Sequence, residues 1–495
     1  MNILLLSMPD SFEHTSTVTM RMPNGALASL AGNVDQHHRV AIADLILVQR
    51  QVRPTIERLM RQLDPDIVGL SIMTFQRGTA KKIVSLVRAL KPSATIVVGG
   101  YDPSLASSMY HCWDIDAIVR GEGDITFRDL VRARERGDSF DGIAGLTYRS
   151  GDRMIANPDR PVSSLSGDDI RLPNRTARVL DGYTFLGRPI EVVETSRGCT
   201  YDCSFCSIIE MRGRNFHTWS VERVIADLAD ARARGARAIF IVDDNISLNV
   251  PRFEKLCRAI VDAGFHDIDY IVQAMTSSIA AHGETLAPVM REAGFRYVFL
   301  GIENILDEDL AFLRARAKNA QREAGRQVGN ATTKAIEVLH RHGMYVVGGL
   351  IVGNPTDTRQ SIDANLRFAR DYVDWPYIQH PTPYPGTPMT QDFRERNLIV
   401  SDDVNEYDGT TAVVKSEHLD AEEIEFLRWR AERWMKLKHF WPVVAHDPWF
   451  VLRHMHQMVG HTFRGSSWRS FFGLESDRAV FARYKDIRRA ERQYL

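Results

Sequence analysis

Three cysteines fall within eight residues, in the run Thr195-Ser196-Arg197-Gly198-Cys199-Thr200-Tyr201-Asp202-Cys203-Ser204-Phe205-Cys206. A C-x3-C-x2-C spacing lets three thiolates wrap one corner of a cubane iron–sulfur cluster, each on a different iron, and leaves the fourth iron open to substrate. A structural zinc site or three buried thiols are the plainer alternatives. Zinc usually takes four protein ligands, commonly in two pairs, and no second Cys pair or Cys/His partner motif accompanies this one. The remaining cysteines, Cys112 and Cys257, stand alone, and ordinary burial is expected for both. Five cysteines in 495 residues exclude a disulfide scaffold and fit metal binding in a reducing compartment.

The cysteine run directly follows a strand-like segment at 190–193, the first of a second alternating series. Further strand-like segments at 238–242, 270–273, 297–300, 345–352 and 377–380 are separated by helical stretches such as 220–233 and 251–263. Six βα units over about 200 residues suit an incomplete βα barrel, whose active site lies at the strand carboxyl ends. Ahead of it, residues 1–145 alternate strands (3–6, 40–46, 67–72, 95–98, 117–119) with helices (55–63, 79–90), the pattern of a small doubly wound parallel domain. Residues 146–185 are polar and Pro/Gly/Asp-punctuated, reading as a short strand pair and connector. The barrel is assigned to 186–395, and 396–495 loses the alternation and reads as helical.

Charge excludes some partners. The chain carries 62 Lys+Arg against 63 Asp+Glu, so its overall charge favours neither nucleic acid nor an anionic membrane as the main partner. The apolar start, Met1 to Leu6, lacks a basic flank and turns polar at Ser7, too early for a signal-peptide core. No run of about 18 apolar residues occurs, so no spanning helix is expected; the expected location is the cytoplasm, with membrane contact at most peripheral.

The cysteine motif and its position after the first barrel strand resemble those of radical SAM enzymes. The resemblance implies a [4Fe-4S] cluster on Cys199, Cys203 and Cys206, whose open iron is chelated by S-adenosylmethionine and whose reduction yields a 5′-deoxyadenosyl radical. It places Phe205 beside the adenine. It assigns S-adenosylmethionine contacts to Asp243 and Asp244 after the second strand, Glu303 after the fourth, and Gly349, Ile351 and Gly353 on the fifth. Thr200 stands where related proteins commonly have proline, with no consequence for ligation. Taken singly, an Asp pair could merely cap a helix and a strand glycine merely permit close packing.

The N-terminal domain resembles the cobalamin-binding domain of the B12-dependent subgroup. The matching residues are Ser71 and Thr74 after the third strand, Gly99, Gly100 and Tyr101 after the fourth, and Gly121, Glu122 and Gly123 after the fifth. Paired glycines admit a large flat ligand close to backbone, and hydroxyls can bond a buried nucleotide tail. A flavodoxin-like domain with another nucleotide or none is the plainer alternative. Asp35-Gln36-His37 mimics part of a cobalt-ligating D-x-H-x-x-G motif, but it lacks the glycine and precedes the second strand, so no lower histidine ligand is expected.

The fold class is therefore α/β: a Rossmann-like cobalamin-binding domain, a partial (β/α)6 TIM-type radical SAM barrel, and an α-helical C-terminal domain. The resemblance implies a cobalamin-dependent methyltransferase acting on an unactivated carbon of a small-molecule or lipid substrate, nearest in overall pattern to hopanoid C-3 methylases. It also implies an electron donor of flavodoxin or ferredoxin type. A non-methylating relative (oxidative cyclase or ring rearrangement) and a non-catalytic Fe–S/cobalamin carrier are the competing classes. A methylthiotransferase would need a second Cys triplet. Tyr384-Pro385-Gly386-Thr387-Pro388 resembles a loop at the barrel end of the same subgroup. In the last hundred residues, Trp429, Trp434, Trp441, Trp449 and Trp468 with His439, His446, His454, His456 and His461 read first as packing, and more sharply as an apolar lid or a membrane-resting surface.

Overall fold

The computed structural model describes the chain except residues 13–18, 168, 324–325, 442–443 and 445–447, so Asp168 and His446 lie outside the described residues. Five parallel strands, β1 (Asn2–Ser7), β2 (Arg39–Asp44), β3 (Ile67–Ser71), β4 (Thr95–Gly99) and β5 (Ala117–Val119), pair in the order β2-β1-β3-β4-β5. Alternation along β1 builds two cores. Leu4 and Leu6 face α2 (Val52–Leu63) and α3 (Arg77–Leu90), while Ile3 and Leu5 face α1 (Gly25–Asn33) and α4 (Gly123–Arg136). The order reverses between β1 and β3, and ligands of such sheets bind in the crevice at that switch point.

The expected strand pair in the connector exists, as β6 (Leu146–Ser150) and β7 (Arg153–Ala156). It does not stand apart: β6 pairs antiparallel with β5 and extends the first sheet to seven strands. Three-residue β5 would otherwise present an open edge, and the hairpin covers it.

The second sheet is parallel and in chain order: β8 (Arg188–Val193), β9 (Ala238–Ile241), β10 (Asp269–Ala274), β11 (Phe295–Glu303), β12 (Tyr345–Ile351) and β13 (Trp375–Gln379). It stays open. Its β8 edge is extended by Thr184–Phe185 and Met20–Arg21, so a piece of the N-terminal region is woven into the barrel sheet. Helices α5 (Ser207–Arg212), α6 (Val221–Ala233), α7 (Val250–Asp262), α8 (Thr276–Glu292), α9 (Thr332–Arg341) and α10 (Arg359–Tyr372) follow the strands. Ser220, Asn249 and Thr358 cap α6, α7 and α10 with side-chain oxygens, as their residue types favour.

The C-terminal region is helical, with α11 (Ala421–Lys438), α12 (Pro448–Thr462) and α13 (Asp477–Glu491). Phe426, Trp429, Phe481 and Tyr484 pack α11 on α13. Arg428, fully buried, ties α11 to the barrel by donating to His380 Nε2 at 3.0 Å and the Thr410 carbonyl at 2.9 Å. No described helix is long and apolar enough to cross a membrane.

Candidate active site at the two sheet edges

The thiol loop leaves β8 at its carboxyl end and is braced on all sides. Gly198 has φ +90°, and a Cβ there would stand 2.5 Å from the Asn215 carbonyl, so the turn into Cys199 requires glycine. Its amide donates to Asp244 at 2.8 Å. Ser204 donates to the carbonyls of Leu313 and Phe312 at 3.0 and 2.9 Å and accepts from the Met389 amide at 2.9 Å. Cys203 is buried, and Cys199 and Cys206 are partly so. Burial pushes the Cys203 thiol up and that of Cys206 to about 12, with the Lys318 ammonium opposing in both. Thiols held this way are poor free nucleophiles but are set up for a cation that takes their protons. Among the described residues only His37, His38 and Glu135 bring three donor atoms within 4.8 Å of one another. The three thiols are spread wider than one tetrahedral ion takes, as a cluster with one iron per thiolate requires.

Around this loop the other singled-out residues take different places. Phe205 packs against the apolar cluster that includes Ile351, Leu313 and Met389. Glu303 lies at the end of β11 with φ +59°, beside a register shift against β12, and is buried against Lys318, whose Nζ donates to it. Despite its burial, Lys318 is held above its usual range by Glu303, and it sits 5.5 Å from the Phe205 ring centre. A Cβ at Gly301 would meet Glu303 Oε1 at 2.7 Å and Lys318 Nζ at 2.9 Å, so this glycine makes room for the pair. Gly349 abuts the Phe299 ring at 2.8 Å from a would-be Cβ; Gly353, at φ +102°, donates to Asp357 at 2.7 Å in the turn after β12.

The adjacent aspartates separate. Asp243 is wholly buried and accepts from the Thr195 amide and hydroxyl at 2.6 and 2.5 Å and from Ser196 Oγ at 2.6 Å, bracing β8 to β9. Burial lifts its carboxyl to about 6. Asp244 faces the cavity described next, and burial lifts it too. Of the two, Asp244 is the one with access to a ligand.

A cavity of about 510 Å³ runs between the two sheets' carboxyl ends. One wall is Ser71, Gly99, Gly100, Tyr101, Gly121, Glu122 and Gly123; the other includes Arg197, Asp244 and Trp219. Thr74 is buried beside it in the short turn after β3 but does not line it. The cavity continues down the sheet face between α1 and α4, past Leu5, Gly69, Val97 and Phe127, the shape an elongated nucleotide tail needs. At Gly121, φ +70°, a Cβ would project into open space, and at Gly100, φ +108°, one would lie 2.7 Å from the Ile72 carbonyl. Both the bare backbone and the apolar groove fit cobalamin. His37 and His38 lie at the opposite end of the sheet, His37 Nε2 2.8 Å from Glu135 and His38 Nδ1 3.2 Å from the Met1 amine.

An unforeseen ion cluster joins the halves. Arg197, two residues before Cys199, is buried and donates to Asp124 of α4 at 2.8 Å and to Glu194 at 2.7 Å. Its guanidinium holds the wholly buried Asp124 below the usual carboxylate range in spite of burial. Glu122 accepts from Arg212 of α5 at 3.1 Å. Lys318 and this cluster carry no sequence motif, and Arg197 and Asp124 are 73 residues apart. Cys112 is exposed rather than buried, because it sits in a surface turn after Ser107–Tyr110; Cys257 is buried in α7.

Comparison with known proteins follows the same division. Residues 193–369 match the model of the radical SAM superfamily and residues 15–131 that of the B12 binding domain. The chain is 30% identical over 433 residues to an uncharacterised methyltransferase of Pyrococcus horikoshii, covering 86% of this chain and 90% of that protein. It is 26% identical to the hopanoid C-3 methylase of Methylococcus capsulatus (70% of this chain, 64% of that one). It is 24% identical to the anaerobic magnesium-protoporphyrin IX monomethyl ester cyclase of Cereibacter sphaeroides (81% and 63%). The chain thus spans less than two thirds of the last two. Among solved structures, the methyltransferase TsrM of Kitasatospora setae, with cobalamin and a [4Fe-4S] cluster bound, aligns with TM-score 0.63 at 19% identity (80% of this chain, 78% of that one). The cobalamin-dependent radical enzyme OxsB aligns at 0.66 and 16% (99% and 76%). At these identities the structures speak to the fold alone.

Proposed function

Because this chain belongs to the radical SAM superfamily and carries a B12 binding domain ahead of its radical SAM region, we propose that it methylates an unactivated carbon of a small-molecule or lipid substrate. The observation that supports the reading is a cavity lined by the Gly99-Gly100-Tyr101 edge and by Asp244, which accepts from the Gly198 amide next to Cys199 although the thiols themselves do not line it. When bound, the cluster with S-adenosylmethionine supplies a hydrogen-abstracting radical and cobalamin supplies the methyl group.

The chain's own residues position and exclude. Cys199, Cys203 and Cys206 hold the cluster, and Phe205, Asp244, Glu303 and the Gly349 to Gly353 strand end hold S-adenosylmethionine. Asp243 keeps β8 and β9 in register beneath them. Lys318 Nζ donates to Glu303 and fixes its carboxylate in place, where it can accept hydrogen bonds from hydroxyls. Ser71, Gly99, Gly100, Tyr101 and the Gly121 to Gly123 turn cradle cobalamin. Tyr101, whose phenol burial keeps protonated, stands between the two sites and helps shut out water. Hydrogen abstraction by a radical needs no general base, so no residue of the cavity is assigned that role. Reducing equivalents come from a small electron carrier of flavodoxin or ferredoxin type.

The test is anaerobic incubation of reconstituted enzyme with candidate substrates and methyl-deuterated S-adenosylmethionine, read by mass spectrometry. A deuterated methyl group on the product supports the reading. A changed product without it assigns the chain to the non-methylating chemistry of the cyclase relatives. No turnover of S-adenosylmethionine with cluster and cobalamin both loaded leaves only the carrier reading.

A further inference from the structure

Four of the five C-terminal tryptophans are exposed. Trp429 is buried, but Trp434, Trp441, Trp449 and Trp468 are 60%, 73%, 79% and 67% exposed. On α12 the exposed residues Trp449, Leu452, Met455 and Val459 recur every three to four positions and so form one stripe, whose Met455 and Val459 also edge a cavity against α11, while Phe450 and Val451 are turned into the protein. Beyond α12, Trp468, Phe471, Phe472 and Leu474 add a second exposed group, joined to the first through the Phe463–Phe471 ring contact at 5.1 Å. Isolated exposed apolar residues are ordinary; a run of this size marks a binding face.

Charge says what covers it. Across residues 433–474 the basic residues are Arg433, Lys436, Lys438, Arg453, Arg464 and Arg469 against Asp447, and although Lys438 and Arg464 pair with Asp371 and Glu491, the segment stays basic in a chain whose total is −1. Arg453 and Arg469 are exposed among the aromatics. Indole rings favour the boundary between water and hydrocarbon, and nearby arginines favour anionic head groups. A protein partner would require a matching shape. A bilayer requires only this composition on a protruding helix.

We infer that α12 and the segment through Leu474 form a docking face that lays the enzyme on an anionic phospholipid bilayer, without any segment crossing it. The inference is independent of the substrate. It is tested with the whole, cofactor-loaded chain, sedimented with phosphatidylglycerol-containing or pure phosphatidylcholine vesicles, alongside the variant W449S/W468S. The altered side chains are exposed, so the variant's thermal midpoint and cobalamin spectrum serve as controls for folding. Expected are binding to the anionic vesicles, weakening as salt rises, and a loss of at least about tenfold in partitioning for the variant. Wild-type protein that stays in the supernatant with both vesicles, or that binds both equally, overturns the inference. So does a concentration-dependent dimer in light scattering that the variant abolishes, since the face would then join two copies of this chain.

Discussion

Replacing Arg197 by methionine tests how the two halves of the site are held together. The guanidinium is buried at a side-chain exposure of 7%, and Asp124 opposite it at 6%, so solvent screening offers little relief. Three carboxylates lean on it unequally. Glu194 keeps Trp219 Nε1 at 3.2 Å and Glu122 keeps Arg212 at 3.1 Å, whereas Asp124 keeps the Ser29 hydroxyl and a backbone amide but, among the described residues, no second cation. The variant therefore strands chiefly one charge. Breaking a buried pair by removing one partner costs about 3–5 kcal/mol. At roughly 2–4 °C per kcal/mol for a domain of about 200 residues, the thermal midpoint should fall by about 6–20 °C. D124N/R197M, which removes both charges, should recover part of that loss, with a coupling energy of about 0.5–3 kcal/mol. The sign with pH follows from Asp124, whose folded-state pKa is depressed. Its stabilisation is present above the unfolded carboxylate value near 4 and is lost as pH falls through the lower folded value. R197M should therefore remove part of the wild-type loss of stability in acid. Thermal melts followed by circular dichroism, with cobalamin absorbance recorded in parallel, give both readings. A midpoint shift under about 2 °C with an unchanged acid profile would refute the reasoning.

Gly100→Ala forces a Cβ to 2.7 Å from the Ile72 carbonyl at φ +108°, costing about 1–3 kcal/mol and loosening bound cobalamin, which gel filtration of loaded protein reads as lost absorbance. Lys318→Met leaves Glu303 buried without its counter-charge, so S-adenosylmethionine should bind about tenfold or more weakly by calorimetry on cluster-loaded protein, and unchanged affinity would remove Glu303 from the site. Cys203→Ala abolishes the [4Fe-4S] absorbance while removing little volume, so the fold persists; a normal cluster spectrum in that variant would sink the ligand assignment.

Most strands were legible because they carry apolar or β-branched runs, and the motifs sit at their carboxyl ends, where parallel sheets put ligands. The hairpin β6–β7 was visible as a pair, but not its docking on β5, which depends on an edge no local pattern marks. Lys318 and the Arg197–Asp124 bridge escaped because tertiary approach, not spacing, creates them. The division of labour between Asp243 and Asp244 was equally hidden: identical neighbours along a strand end point opposite ways, and only the surrounding Thr195 and Ser196 decide which is braced. The C-terminal helices show the reverse limit. Aromatic residues lie on more than one face of α12, so composition shows that a face is sticky without showing whether protein covers it.

The central claim is that both cofactor positions serve one methyl transfer. It is tested most directly by counting products of S-adenosylmethionine in the presence of the true substrate. Expected are 5′-deoxyadenosine and S-adenosylhomocysteine formed together, with the methyl group recovered on the product. Deoxyadenosine formed without S-adenosylhomocysteine, in protein loaded with cluster and cobalamin, would contradict it.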